Sequence, residues 1–354
     1  HRSAPAWSRP LLAEANIIYR LLAGKPIFSG FNVTNRCTMR CRFCSVPELT
    51  HRDMTLQEID HALDCLKGLG VPVVGVTGGE PFVRTDLADI VRAIAARGMK
   101  TTIVTNGELF DRNRAEELRE FGNIVHFALS VDSLDREVYG DLRGKKKALE
   151  RILPRYLDSI AHGPRTAYKL NVVVGPDNLD ELEDFTRLAE ARGLFVSFIP
   201  MNVAPGGLHR GRDYPSFTPE KRARVAEAFD MLREWKLAGR PLWDHRDFYL
   251  HAAAYMRGEV MDDCMAGRFF LDLRSDGKLA FCNEMDHFID LLEVDRLTWS
   301  ELQGIRGQWQ ERIHACRTDS ACCYTCSYNV TATAHNIPAY IWDYFRLKSL
   351  YRGR

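Results

Sequence analysis

The chain has 354 residues, 45% hydrophobic and 27% charged, a globular mix with enough apolar surface for a large core, which excludes a disordered chain. Its 48 basic and 47 acidic side chains leave a formal charge of +1, so no global field draws it to nucleic acid. No run of 18 apolar residues is present to span a membrane, and the opening HRSAPAWSRP lacks the apolar core of a signal peptide.

Residues 1–27 read as a helical lead-in. From Phe28 to about Pro200 strand-like and helix-like runs alternate. Strands are expected at Ile27–Val33, Val71–Val76, Thr101–Thr105, Ile124–Val131, Ala167–Val174 and Leu194–Pro200. Helices are expected at Thr55–Leu69, Asp86–Ala96, Arg112–Phe121, Lys145–Ile160 and Leu179–Arg192. Thr55 before Glu58 is a capping-box start. The near-continuous apolar strands suit a buried parallel sheet. Six βα units are too few for a closed eight-fold barrel, so the expected fold is α/β, a partial (β/α)6 TIM-like barrel over residues 28–218. Function in such folds collects at the C-terminal ends of the strands. Residues 219–260 read as a helical connector with helices at Pro219–Leu237 and Phe248–Arg257. Residues 261–335 read as a small cysteine-rich α+β domain, and 336–354 as a C-terminal helix.

Ten cysteines are present, and nine fall in two clusters separated by a cysteine-free stretch from Cys65 to Cys264. Clustered thiols in a chain without an export signal read as metal ligands in a reducing cytosol. The first cluster, NRCTMRCRFC, has the spacing C-x3-C-x2-C at Cys37, Cys41 and Cys44, directly after the first strand. A structural zinc site wants four ligands, and the nearest further cysteine is Cys65. An iron–sulfur cube on three thiolates keeps one iron open. Cys65, on the apolar side of a helix, reads as a small buried hydrophobe.

This pattern resembles the radical S-adenosylmethionine (SAM) enzymes. The resemblance rests on C-x3-C-x-aromatic-C with Phe43 as the aromatic, on Gly78-Gly79-Glu80-Pro81 after the second strand, and on six βα units in order. It implies that Cys37, Cys41 and Cys44 hold a [4Fe–4S] cluster whose open iron binds SAM. Cleavage of SAM would then give a 5′-deoxyadenosyl radical that abstracts hydrogen from a substrate carbon. Gly78 and Gly79 would let backbone approach the cofactor, and Glu80 or a nearby carbonyl would meet its ammonium group. Thr105 and Asn106 end strand three, Ser130 and Asp132 end strand four and suit a ribose or amino acid moiety, and Asn171 lies on strand five. Arg143 could pair with the methionine carboxylate, and Met201 could lie on the adenine.

The second cluster pairs Cys264-x17-Cys282 with Cys323-x2-Cys326. Asp276-Gly277 marks a hairpin turn that brings the first two to neighbouring strand ends. The layout resembles a twitch domain, the shortened relative of the SPASM domain, with one auxiliary [4Fe–4S] cluster. A structural zinc ribbon would use the same four thiols. Cys316 and Cys322 are extra thiols, either alternative ligands or hydrogen donors. His209, Arg210 and Tyr214, on a loop after strand six, are candidates for substrate contact, against the simpler reading of a solvated loop.

The leading substrate is a small metabolite undergoing dehydrogenation, epimerisation or decarboxylation. Peptide cross-linking is an alternative, weakened because about 30 residues before the barrel cannot form a leader-binding domain. Lipid or tetrapyrrole modification is another. A non-enzymatic iron–sulfur electron carrier is the reading from a different class. An electron donor such as flavodoxin or ferredoxin is implied as partner. Peripheral membrane contact through the aromatic and basic C-terminal stretch is the less favoured alternative to packing.

Overall fold

The computed structural model describes residues 8–160, 166–202, 218–259, 264–285, 288–309, 311 and 328–351. Helix α1 (Ser8–Leu22) leads into β1 (Phe28–Asn32) and α2 (Leu56–Gly68). Then follow β2 (Val73–Thr77), α3 (Leu87–Ala96), β3 (Lys100–Thr105), α4 (Arg112–Arg119) and β4 (Ile124–Ser130). Two helices, α5 (Arg136–Arg143) and α6 (Leu149–Ile160), precede β5 (Ala167–Val174), α7 (Leu182–Arg192) and β6 (Phe195–Pro200). All five pairings from β1 to β6 are parallel and between sequential strands. This is the partial barrel the pattern predicts.

Local chemistry explains the element ends. The Thr55 hydroxyl accepts from the Glu58 N–H at 3.3 Å, and the Glu58 carboxylate accepts from the Thr55 N–H at 2.8 Å, which completes the capping box of α2. The region after β4 differs from expectation. The sequence predicts one helix from Lys145, whereas a separate short helix, α5, forms first. Asp135 caps its N-terminus, and Gly144, at φ +77°, ends it in a conformation other residues resist.

The core lies between sheet and helices. Leu63 and Leu66 of α2, Ile90 and Ile94 of α3, Ile152 of α6 and Phe185 of α7 are at most 1% exposed. Cys65 is buried with them, as a small hydrophobe. Under α4 and α6, Phe110 meets the rings of Phe82, Phe127 and Tyr156 at centroid distances of 5.4, 5.4 and 5.5 Å.

After β6 come α8 (Pro219–Ala238), α9 (Arg246–Arg257), a hairpin of β7 (Phe270–Leu273) and β8 (Lys278–Ala280), and the short β9 (Ile289–Asp290). Helices α10 (Trp299–Gln308), α11 (Tyr328–His335) and α12 (Ile337–Tyr351) complete the described chain. Gly277, at φ +88°, makes the hairpin turn. The hairpin is joined to the barrel: β7 pairs in parallel with β1, Gly30 opposite Asp272, giving a nine-stranded sheet of order β6-β5-β4-β3-β2-β1-β7-β8-β9. At the far edge, Leu242 bridges to Val196 of β6. Helix α12 is fastened by an ion pair between Asp343 and Arg246, while Trp342 and Phe345 are exposed. Among the described residues no helix is long and apolar enough to cross a membrane.

Candidate active site

The loop after β1 carries Cys37, Cys41 and Cys44, and four backbone contacts hold it over the ends of the strands. Gly79 N–H donates to the Thr34 carbonyl at 2.7 Å and Glu80 N–H to the Arg36 carbonyl at 2.9 Å. Arg42 N–H reaches the Leu142 carbonyl of α5 at 3.0 Å. The buried Arg84 guanidinium donates to the Val33 carbonyl at 3.0 Å. The two glycines are what allows this pairing. A Cβ on Gly78 would stand 2.3 Å from the Thr34 oxygen, and one on Gly79 2.3 Å from the Arg36 oxygen. Gly78 also has φ +136°. Their first function is therefore to let the cysteine loop and the post-β2 loop lie backbone to backbone.

Below that loop a cavity of about 230 Å³ opens at the C-terminal ends of β2 to β6. All three thiols line it, and so do Phe43, Gly78, Gly79, Thr105, Asn106, Ser130, Arg143 and Met201. These are the residues the sequence pattern nominates that the fold brings together. The residues that pattern missed are mainly the inward-facing last positions of the strands, Thr77, Val104, Val173 and Ile199, together with Met39, Pro47, Asn202 and Asn283. Strand alternation could have found the first four, because every second side chain faces the lumen.

Glu80, Pro81, Asp132 and Asn171 are not on the cavity wall. The Glu80 carboxylate is fully buried and accepts from Thr105 Oγ1 at 2.8 Å, Asn106 N–H at 2.6 Å and Phe82 N–H at 3.1 Å. Its side chain ties the post-β2 loop to the end of β3. Burial pushes its pKa up to about 7, against the pull of these three donors. Asp132 is likewise turned inward. It accepts from Val173 N–H at 2.8 Å and pairs with Arg143 Nε at 2.5 Å, which makes it the counterion of that arginine. Asn171 sits on β5 opposite Ser130, and its Oδ1 is a buried atom without a hydrogen-bond partner among the described residues.

Arg143 is 5% exposed and stands between groups of both signs. Besides Asp132, its Nη1 lies 3.8 Å from Cys41 Sγ and its guanidinium 5.7 Å from the Phe43 ring centre. Burial pushes the Cys41 thiol up to about 12, opposed by the Arg143 charge, and burial also raises Cys37. Thiols so desolvated stay protonated until a metal displaces the proton. The Asn106 amide lies 3.5 Å from Cys37 Sγ and donates to Thr38 Oγ1 at 3.1 Å.

The donor set fits an iron–sulfur cube with three protein ligands. It is three thiols and no imidazole, on one loop, around a cavity with further space beside them. Among the described residues no three thiol, imidazole or carboxylate groups converge as they would on one ion. A cube asks for less convergence, since its three iron corners are set apart from one another.

Residues 31–189 match the Radical SAM superfamily. A GTP 3′,8-cyclase of Alkaliphilus oremlandii (strain OhILAs) is 31% identical over 283 residues, 76% of this chain and 84% of that protein. The chain belongs to the radical SAM superfamily. An AdoMet-dependent heme synthase of Methanosarcina barkeri (strain Fusaro / DSM 804) is 26% identical over 220 residues, 61% of each chain. Among solved structures, Streptococcus suis SuiB bound to S-adenosylmethionine superposes with a TM-score of 0.59 at 17% identity, covering 83% of this chain and 70% of that one. Native anSMEcpe with bound AdoMet gives 0.59 at 14% identity, covering 93% and 100%. These two likenesses are of fold.

Membership makes this radical SAM chain an enzyme with SAM and a [4Fe–4S] cluster as its cofactors, and sets aside the non-enzymatic electron carrier. Of the second cysteine cluster, Cys264 and Cys282 are described. Cys282 is buried just beyond β8, two residues after Ala280. Asn283, the next residue, lines the cavity. Cys316, Cys322, Cys323, Cys326, His209, Arg210 and Tyr214 lie outside the described residues.

Proposed function

We propose that this enzyme cleaves SAM at the Cys37, Cys41 and Cys44 site and abstracts hydrogen from a small metabolite held in the same cavity. An auxiliary [4Fe–4S] cluster on Cys264, Cys282, Cys323 and Cys326 assists. The observation that carries this reading is that one cavity gathers the three thiols, the Gly78–Gly79 backbone, the ends of β2 to β6 and the residue following Cys282. When bound, the cluster and SAM together supply an electron to the sulfonium C–S bond and a hydrogen-abstracting 5′-deoxyadenosyl group. The protein binds, orients and excludes water.

Each wall has a part in this. The thiolates hold the cluster, and Arg143, fixed by Asp132, offsets their charge while facing the space where a methionine carboxylate would lie. The Ser130 hydroxyl suits a ribose. Phe43, Val104, Ile199 and Met201 make the apolar walls that keep water out. A small substrate is supported by the names of the relatives at 31% and 26% identity, a GTP cyclase and a heme synthase.

Anaerobic reconstitution with dithionite and SAM tests the reading. Two cubes imply about eight irons per chain. Replacing Cys37, Cys41 and Cys44 with Ala is expected to leave about half of that iron and to abolish 5′-deoxyadenosine. Continued 5′-deoxyadenosine formation by the triple variant would refute the site.

A further inference from the structure

Asn106, just beyond β3, is held on several sides before it meets a thiol. Its backbone N–H donates to the buried Glu80 carboxylate at 2.6 Å. Its Oδ1 accepts from Glu108 N–H at 2.9 Å, an Asx turn in which Gly107 takes φ +79°. Thr105, the residue before it, is fixed to the same framework: its Oγ1 donates to Glu80 at 2.8 Å and accepts from Gly107 N–H at 3.0 Å.

With Oδ1 committed to the turn, the other end of the amide points to the cysteine loop. There Nδ2 donates to Thr38 Oγ1 at 3.1 Å and stands 3.5 Å from Cys37 Sγ, within hydrogen-bond reach of sulfur. Met39 N–H approaches the same sulfur at 3.4 Å. Cys37 Sγ thus receives one N–H from its own loop and one from the end of β3. The Asx turn uses only Oδ1, and an aspartate would make it equally well. What asparagine adds is the N–H₂, and that group is aimed at the thiol.

We propose that Asn106 sets the reduction potential of the first site, its N–H₂ making the cluster on Cys37, Cys41 and Cys44 easier to reduce. The proposal rests on the assignment of those three cysteines made above. In the reduction, a low-potential donor of the ferredoxin or flavodoxin kind loses one electron and the cluster gains it. No bond forms or breaks, and the amide protons stay on Asn106. The added negative charge spreads onto the ligand sulfurs, so an N–H dipole directed at Cys37 Sγ stabilises the reduced form more than the oxidised one. Asn106 is only 6% exposed, so water does not stand in for the donor if the side chain is removed.

The test is a redox titration of the full reconstituted chain, followed by electron paramagnetic resonance without SAM. The first-site signal is the one that the Cys37, Cys41 and Cys44 triple Ala variant lacks. Asn106→Leu, which has no donor, is expected to shift the ratio of reduced to oxidised cluster about tenfold toward oxidised, about 59 mV lower for one electron. Asn106→Asp keeps the turn, loses the N–H₂ and adds a charge, so its potential should fall at least as far. Thr38→Val removes the other partner of the same amide and should leave the potential at the wild-type value. A wild-type potential in either Asn106 variant, or an equal fall in Thr38→Val, overturns the proposal. If Asn106→Leu loads no cluster, Asn106→Asp decides by the same criterion. If the triple Ala variant keeps every signal of wild type, the site assignment itself falls, an outcome distinct from an unmoved potential in a loaded Asn106 variant.

Discussion

The Glu80 carboxylate takes three protein donors at a position that water does not reach. Burial and hydrogen bonding act against each other there, and burial raises the pKa from 4.5 to about 7. A carboxyl whose folded pKa lies above its unfolded value binds more protons in the native state between the two. Its contribution to stability is therefore greatest below pH 4.5 and declines as pH rises to about 7, a change on the order of 3 kcal/mol. Glu80→Gln removes this titration and sets an amide N–H₂ against one of the donors. The stability difference between wild type and Glu80→Gln, from urea unfolding, should thus be larger at pH 5 than at pH 8. A difference independent of pH would show that Glu80 is ionised in the folded chain throughout. The sequence did not show which way this carboxylate, or that of Asp132, faces. A motif shows that a carboxylate stands beside a binding loop, but the direction it faces depends on donors from other elements, here Thr105 and Asn106 at the end of β3 for Glu80 and Arg143 of α5 for Asp132.

Between elements, the Gly78–Gly79 turn and the cysteine loop behave as one unit. A residue with a Cβ at position 79 meets the Arg36 carbonyl at 2.3 Å, and a backbone atom cannot swing aside as a flexible side chain can. Gly79→Ala should therefore displace the cysteine loop. Iron at the first site and SAM binding are expected to fall together, with a stability loss of about 1–3 kcal/mol. Loss of SAM affinity with full iron retention would mean that position 79 faces the ligand alone. A second expectation concerns α2. Thr55→Ala removes the acceptor for the Glu58 N–H and should cost about 1 kcal/mol in denaturant unfolding, with SAM cleavage unaffected because the cap faces solvent. Such local devices were legible, as were the six strands, whose apolar runs are long and bounded by turns. Helix α5 was not, because it is only eight residues long and four of them are charged, even though its apolar residues fall on one face. Nor was α11, whose VTATA favours a strand in isolation and becomes helical where it packs against α9.

At the scale of the molecule, the feature with most consequence is the parallel pairing of β7 with β1. Nothing local in FLDL announces a partner some 240 residues earlier, and that join puts the Cys282 hairpin on the same sheet as the first cysteine loop. The hairpin turn also touches that loop: Met54 N–H donates to the Ser275 carbonyl at 2.8 Å, and Asp276 stands 3.6 Å from His51. Cys282 and the first cysteine group are thus fixed to one framework, and Asn283, next to Cys282, extends into the cavity of that group. This geometry separates metal content from geometry of the site. If Cys282 is an auxiliary ligand, Cys282→Ala should lose about four of about eight irons, yet β7 and β8 remain paired without the thiol, so the first site keeps its shape. Dithionite-driven formation of 5′-deoxyadenosine should persist while conversion of the true substrate is lost. Among the later thiols, Cys323→Ala should match Cys282→Ala in iron loss, and Cys322→Ala and Cys316→Ala should retain all iron. Adjacent side chains point apart, so Cys322 and Cys323 are not expected to serve one cube. Loss of iron in Cys322→Ala with retention in Cys323→Ala would exchange their roles. Full iron in Cys282→Ala would remove the auxiliary cluster from this hairpin altogether.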